Sequence, residues 1–381
     1  MNILFINEKC GSFGGVEQNI AETAAALAAR GHRCALAYAE RTGRDETVFL
    51  RGFSDNFTWA EMAERTLASP ADVVYLHKVT KVKPLLAAAR AKRSVRMVHD
   101  HDLCCPRRHK YYVWTGRVCT RAAGLCCLAD LAFLRRGGPV GFTPRGLGAF
   151  WQELEANRAV DQLLVGSRFM RDELLGNRFS EDRVCVLAPV TEPEAGDPSP
   201  CPATPRILYV GQVIHGKGVD LLLRALAKVS GIWMADIIGT GNALDKTRRL
   251  CADLGLADRI AFHGWVDHRQ LAEYYRRARV VAVPSRWPEP FGMVGLEAMR
   301  LGRPVAGFAV GGIPDWLKDG ETGLLAREQD VSGYAAILYR LLHEPGLAER
   351  MGAEGRRRAE TDFSFGRYID RLENTLRGAN A

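Results

Sequence analysis

Short apolar runs recur along the chain, each followed by a loop and then by a stretch of helical period. The first runs from Asn2 to Asn7, and others follow at Cys34 to Ala39, Val73 to Leu76, Val95 to Val98 and Gln162 to Val165. A second series begins at Arg206 to Gly211 and continues with Ile237–Ile238, Arg279 to Val283 and Val305 to Phe308. Apolar runs without alternation read as strands buried on both faces. Strands separated by helical stretches predict mostly parallel sheets with helices on both sides. Between the two series, Pro189 to Pro205 is rich in Pro, Glu and Gly and predicts a linker. The pattern predicts an α/β protein with a first domain over 1–190, a linker over 191–205 and a second domain over 206–362. An amphipathic helix is predicted in 363–381.

One loop carries the strongest chemical signal. After the strand ending at Val283, Glu289 stands between Pro288 and Pro290. A residue before proline is pushed out of the helical region, so Glu289 is predicted on an extended loop. Phe291, Gly292, Met293 and Val294 then open a helix. Its first turn offers unpaired N–H groups and partial positive charge, a seat for phosphate. Gly292 lets a ligand approach the backbone. Glu297 lies eight residues beyond Glu289. In a helix that is a rise of about 12 Å, longer than the roughly 5 to 9.5 Å of a glycosidase carboxylate pair. A division of labour fits better, with one carboxylate on sugar hydroxyls and the other on a ribose.

The stretch EPFGMVGLEAMRLGRPV resembles the Glu-x7-Glu signature of retaining family-4 glycosyltransferases. The resemblance implies a GT-B architecture, two Rossmann-like domains facing across a cleft, with the C-terminal helix crossing back to the N-terminal domain. It implies transfer of a hexosyl group from a UDP- or GDP-sugar to a hydroxyl acceptor with retention, needing no cofactor or metal. It places Glu289 on the donor sugar, Glu297 on the ribose, and the backbone of Phe291 to Val294 on the sugar and diphosphate. GQVIHGKGVD resembles the family's second-domain loop, with Lys217 matching the lysine that pairs with the diphosphate. Gln212 stands where the family usually has Arg, and offers no charge and no bidentate fork. Arg286 and His215, close in sequence, are candidate replacements. In the first domain, GSFGG follows the first strand, and the resemblance brings Gly14 and Gly15 to the donor phosphates, with Glu17 at a family position. His99, just past a strand end, matches a family histidine that contacts the donor sugar. Catalysis is assigned to Glu289, His99 and Lys217.

Composition narrows the class. The chain has 381 residues, 47% hydrophobic and 25% charged, ordinary for a globular protein. The start MNILFINEKC reads as a strand rather than a signal peptide, and no run is long enough to span a bilayer; a cytoplasmic location is expected, with possible contact at the inner face of the membrane. The net charge of +8 suits anionic donors and membrane-borne acceptors, and no nucleic-acid motif accompanies it. Arg107 to Trp114 mixes cations with aromatics, suited to an acceptor groove or a membrane surface. Partners are therefore a nucleotide sugar and a saccharide or lipid-linked saccharide acceptor, in polysaccharide, glycolipid or lipopolysaccharide synthesis. Ten cysteines include a cluster within an insertion at about 99–150, where Cys105, Cys119 and Cys126 are candidates for a structural metal and plain thiols the commoner reading. Two other readings stay open: a non-catalytic GT-B saccharide-binding partner subunit, and a nucleotide-sugar epimerase or hydrolase.

Overall fold

The computed structural model describes every residue except 13, 90, 113–114, 137–141, 145–146, 193–199 and 380–381. Phe13 of the glycine loop, Val113 and Trp114 of the basic aromatic segment, and most of the predicted linker lie outside the described residues. The chain forms two compact units. Unit 1 holds Met1–Arg108, Thr120–Glu192 and Phe365–Ala381, and unit 2 holds His109–Cys119 and Pro193–Ser364.

The strands, in chain order, are β1 (Asn2–Cys10), β2 (Arg33–Arg41), β3 (Asp55–Thr58), β4 (Val73–Leu76), β5 (Arg93–Val98), β6 (Leu134–Arg136), β7 (Phe142–Pro144), β8 (Gln162–Val165) and β9 (Val184–Val186). Unit 1 arranges seven of them in the order β3-β2-β1-β4-β5-β8-β9, all parallel. β6 and β7 pair as a small antiparallel ribbon. Unit 2 contributes β10 (Arg206–Val210), β11 (Met234–Ile238), β12 (Ile260–Gly264), β13 (Val280–Val283), β14 (Val305–Phe308) and β15 (Gly323–Ala326). Their order is β12-β11-β10-β13-β14-β15, again parallel.

The apolar runs explain the sheets. Ile3, Leu4, Phe5 and Ile6 of β1 are all buried, so both faces are covered. Leu4 and Ile6 share one core with Val74, Leu76, Met62, Val82 and Leu85. The helix Gly15–Ala29 turns Ile20, Ala24 and Leu27 inward at helical spacing. Cys34, which opens a predicted strand run, is buried in the core, and Cys185 at the edge strand β9 is half-buried.

The C-terminal helix Phe365–Arg377 belongs to unit 1, as the crossing-back prediction requires. It buries Tyr368, Ile369, Leu372 and Leu376. Four such side chains contribute roughly 6–12 kcal/mol gross, far more than its surface ion pairs at about 0–1 kcal/mol each. Tyr368 Oη lies 3.3 Å from Thr23 Oγ1. Arg377, Arg30 and His32 gather on Glu373 and hold its carboxyl down to about 2.

Candidate functional site

Each sheet has a point where the chain reverses direction of strand addition, and ligands in open α/β sheets bind beyond the strand ends there. In unit 2 that point lies between β10 and β13. It brings the loop after β10, holding Gln212 and Lys217, beside the loop after β13, holding Glu289. Lys217 Nζ donates to both Glu289 oxygens, at 2.7 and 2.9 Å. Ser285 Oγ donates to Glu289 Oε1 at 2.5 Å. The Lys217 ammonium also stands 5.1 Å from the centre of the Trp287 ring, a cation–π distance. Glu289 is buried, so its charge is matched by the lysine and the serine hydroxyl.

The backbone is locked around this pair. Gly218 (φ +69°) and Gly311 (φ +56°) are positions where a Cβ would strike the Pro284 carbonyl oxygen and the Pro288 carbonyl carbon, at 1.9 and 2.4 Å. The Gly312 amide donates to the Glu289 carbonyl at 2.7 Å. Gly292 is left-handed (φ 100°) and caps the helix Met293–Arg300. Trp316, fully buried, donates to the Phe291 carbonyl at 2.6 Å and leaves no room for a side chain at Gly295. Glu297 lies in the second turn and accepts from Tyr275 Oη at 2.7 Å. The two signature carboxylates thus have separate partners, one ionic and one phenolic.

Gln212 is exposed in the same loop. Of the two replacements for its missing charge, Arg286 is engaged elsewhere. It is buried and grips Asp220 bidentately at 2.6 and 2.5 Å. Burial pushes the Asp220 carboxyl up, but its hydrogen bonds and charge attraction to Arg286 outweigh that and hold it below its ordinary value. His215 is exposed, its ring 6.1 Å from that of Tyr111. Tyr111 comes from the segment His109–Cys119, which clusters with unit 2 rather than with the insertion's other residues.

In unit 1 the reversal falls between β1 and β4. The loop after β1 turns at Gly11 (φ 110°), where a Cβ would meet Thr42 Oγ1 at 2.2 Å. Gly14 is extended (φ −175°) and, like Gly15, exposed; neither needs a left-handed conformation. Glu17 is 1% exposed, and its Oε1 has no hydrogen-bond partner among the described residues. Burial pushes its carboxyl up, against the attraction of Lys78. Beyond β4 and β5 stand His77 and His99, with His77 Nδ1 3.0 Å from His99 Nε2.

The Asp100–Asp102 pair serves the local fold. Asp100 accepts from the Asp102 amide at 3.0 Å, and Asp102 takes Arg96 at 2.7 Å. Burial, then the Asp100 charge, raise Asp102 to about 7. The metal candidates do not converge. Cys119 belongs to unit 2 while Cys105 and Cys126 belong to unit 1. Among the described residues no cluster of three or more His, Cys, Asp or Glu is arranged to hold an ion, and all ten cysteines are free thiols.

Sequence reasoning missed Ser285, Trp287, Tyr275 and His77. The first two lie in the short loop between the strand ending at Val283 and Glu289, and His77 directly follows a predicted strand, so each had a positional signal. Tyr275 sits on the helix His268–Arg277 and had none.

Two family models match the chain. "Glycosyltransferase Family 4" matches residues 13–194 and "Glycosyl transferases group 1" residues 201–358. The D-inositol 3-phosphate glycosyltransferase of Streptomyces avermitilis is 31% identical over 58% of this chain and 52% of its own length. That of Frankia alni is 34% identical over 59% and 62%. In both, the match spans less than two thirds of the relative. Among solved structures, Anabaena HepE with UDP and glucose is similar with a TM-score of 0.78 at 17% identity, over 99% of this chain and 100% of that one. Sucrose-phosphate synthase from Thermosynechococcus elongatus gives 0.72 at 21%, over 99% and 98%. WaaG, a glycosyltransferase involved in lipopolysaccharide biosynthesis, gives 0.72 at 18%, over 99% and 100%. The two matched domains, one in each half, and the two parallel sheets make this chain a GT-B protein of the family 4 glycosyltransferase type.

Proposed function

We propose that the protein transfers a hexosyl group from a nucleotide diphosphate sugar to a hydroxyl of a saccharide or lipid-linked saccharide acceptor, with retention and without a metal. The observation that carries this reading is the Lys217–Glu289 pair at the sheet reversal, beside the N-terminus of the helix Met293–Arg300. In this reading Lys217 turns from Glu289 to the donor diphosphate when the donor binds. The freed Glu289 carboxylate, still held by Ser285, accepts from sugar hydroxyls. Glu297, oriented by Tyr275, takes the ribose. The amides of Met293 and Val294, and in unit 1 the Gly14–Gly15 loop, face the phosphates, and His99 faces the sugar.

The acceptor oxygen attacks the anomeric carbon on the face the nucleotide leaves. The bond from that carbon to the phosphate oxygen breaks, its electron pair departs with the diphosphate, and the acceptor proton passes to the leaving phosphate. The protein contributes positioning and stabilisation of the developing negative charge. With Gln212 neutral and Arg286 held by Asp220, Lys217 is the main cation from these loops.

UDP-glucose heads the donor panel because the solved neighbour HepE has been crystallised with it. The acceptor panel includes D-inositol 3-phosphate, from the relatives' name. A role in envelope polysaccharide or lipopolysaccharide synthesis, from the cytoplasmic side of the membrane, is consistent with the net charge of +8 and the likeness to WaaG. The test measures melting temperature and glycoside product with UDP- and GDP-sugars, with and without EDTA, on wild type and Glu297→Ala. A shift with one nucleotide sugar, lost in Glu297→Ala, and an EDTA-resistant α-linked product from an α-linked donor are expected. Binding without product would favour the saccharide-binding subunit reading, to which Gln212 points. Conversion of the donor without acceptor would favour an epimerase or hydrolase.

A further inference from the structure

Unit 1 holds a buried imidazole that the proposed reaction leaves unused. His77 is 1% exposed. Its ring lies parallel to that of Phe5 with centroids 5.8 Å apart, and edge-on to Tyr75 at 4.2 Å. On its Nδ1 side it meets His99 Nε2 at 3.0 Å, the two rings within 19° of parallel. Its other nitrogen, Nε2, is buried with no hydrogen-bond partner among the described residues.

These contacts select one arrangement of protons. A single proton must lie between the facing nitrogens, since two would repel and none would oppose two lone pairs. If His99 supplied it, neutral His77 would carry its own proton on Nε2, a buried donor with nothing to receive it. If His77 supplies it, Nε2 is a bare lone pair. Orphaned buried N–H groups are rarer in folded proteins than under-used acceptors. His77 is therefore the donor, and neutral His99 must hold its proton on Nδ1.

We infer that His77 is a positioning residue that fixes His99 as the Nδ1–H tautomer, so that His99 meets an oxygen of the bound donor sugar as a hydrogen-bond donor. The tautomer follows from unit 1 alone; the sugar oxygen rests on the function proposed above. The surroundings keep both rings neutral. Burial first, then the positive charge of Arg96, takes His77 down to about 3. Burial, His77, Lys78 and Arg96 together hold His99 well below its ordinary value. The neighbouring carboxylates, Asp100 and Asp102, are hydrogen-bonded to each other, Asp102 is ion-paired with Arg96, and the charges of Lys78 and Arg108 act on them.

The experiment is long-range 1H–15N correlation on 15N-histidine-labelled full-length protein, without ligand and then with UDP-glucose, assigned through His99→Gln. In wild type without ligand, His99 is expected to show protonated Nδ1 and unprotonated Nε2, unchanged from pH 8 to pH 5. In His77→Phe, which keeps a flat ring but no donor, His99 should show mixed tautomers and begin to titrate. His77→Gln, with an amide N–H, should restore much of the wild-type pattern. An unprotonated Nδ1 in wild type, or an unchanged His99 in His77→Phe, overturns the inference; if His77→Phe fails to fold, the wild-type assignment alone decides. With UDP-glucose, the His99 Nδ1–H proton should shift. If UDP-glucose binds by melting temperature yet leaves that signal in place, the sugar contact is overturned while the tautomer stands; if UDP-glucose does not bind at all, it is the donor reading that has failed.

Discussion

The two sheet reversals solve the same problem differently. In unit 2 each buried or half-buried charge meets a named partner: Lys217 with Glu289, Arg286 with Asp220, Tyr275 with Glu297. In unit 1 the corresponding place holds Glu17, His77 and His99, which burial drives toward their neutral forms. A matched ion pair can release a cation to an incoming anion without a change of protonation. A neutral cluster offers a fixed pattern of donors and acceptors instead.

The contrast is most directly broken at Lys217. Lys217→Ala strands a buried carboxylate, and with the lysine side chain 24% exposed the cost is expected at about 2–3 kcal/mol, below the roughly 3–5 of a fully buried pair. Transfer activity should fall at least about 100-fold, as for loss of one main charge-stabilising group. Adding Glu289→Gln should recover stability in urea melts but not activity. Recovery of both would remove the pair from the reaction.

Arg286→Ala should cost about 2 kcal/mol, since it breaks a bidentate, largely buried contact. It also carries a pH signature. The folded Asp220 carboxyl lies below its ordinary value, so its pairing stabilises the fold above about pH 4 and is lost as pH falls through the folded value. Arg286→Ala should delete that part of the acid limb.

In unit 1, His77 has the same sign as Asp220 over a higher pH window, and Glu17 has the opposite sign. His77 stays neutral down to about 3 in the fold, while the unfolded chain takes up its proton near pH 6.5. Stability should therefore fall as pH drops below about 6.5, and His77→Phe should flatten part of that slope. Equal slopes in the two proteins would mean that the histidine charges in the fold.

The smallest effect is expected at Glu17. Its folded carboxyl is raised, so the fold loses stability as pH rises from about 4.5 toward the folded value. Glu17→Gln should remove that loss and be neutral to about 1 kcal/mol stabilising at pH 7. A clear destabilisation would show that the carboxylate is charged and partnered in the fold.

Much of this was legible in the chain. The apolar runs marked β1, β4, β8 and β14 within a few residues, because a strand buried on both faces leaves an uninterrupted apolar signature. The signature loop was legible because prolines flank Glu289 and glycines follow it. What could not be read was pairing across sequence distance. Nothing local says that Arg286 is taken by Asp220, 66 residues away, or that Tyr275 orients Glu297. The cysteines show the same limit: proximity in sequence made Cys105, Cys119 and Cys126 candidates, yet among the described residues no three or more His, Cys, Asp or Glu are grouped to hold an ion.

The way the chain is shared between the units bears on how this protein can be cut and recombined. It passes between them at 108/109, 119/120, 192/193 and 364/365. A gene fragment ending near residue 192 would carry the foreign strip His109–Cys119 and lack the helix Phe365–Arg377, leaving the apolar surface under Tyr368, Ile369, Leu372 and Leu376 open to water. A chimera that exchanges one unit must therefore move four breakpoints together, and a fragment meant to isolate the first unit needs its last helix fused back on.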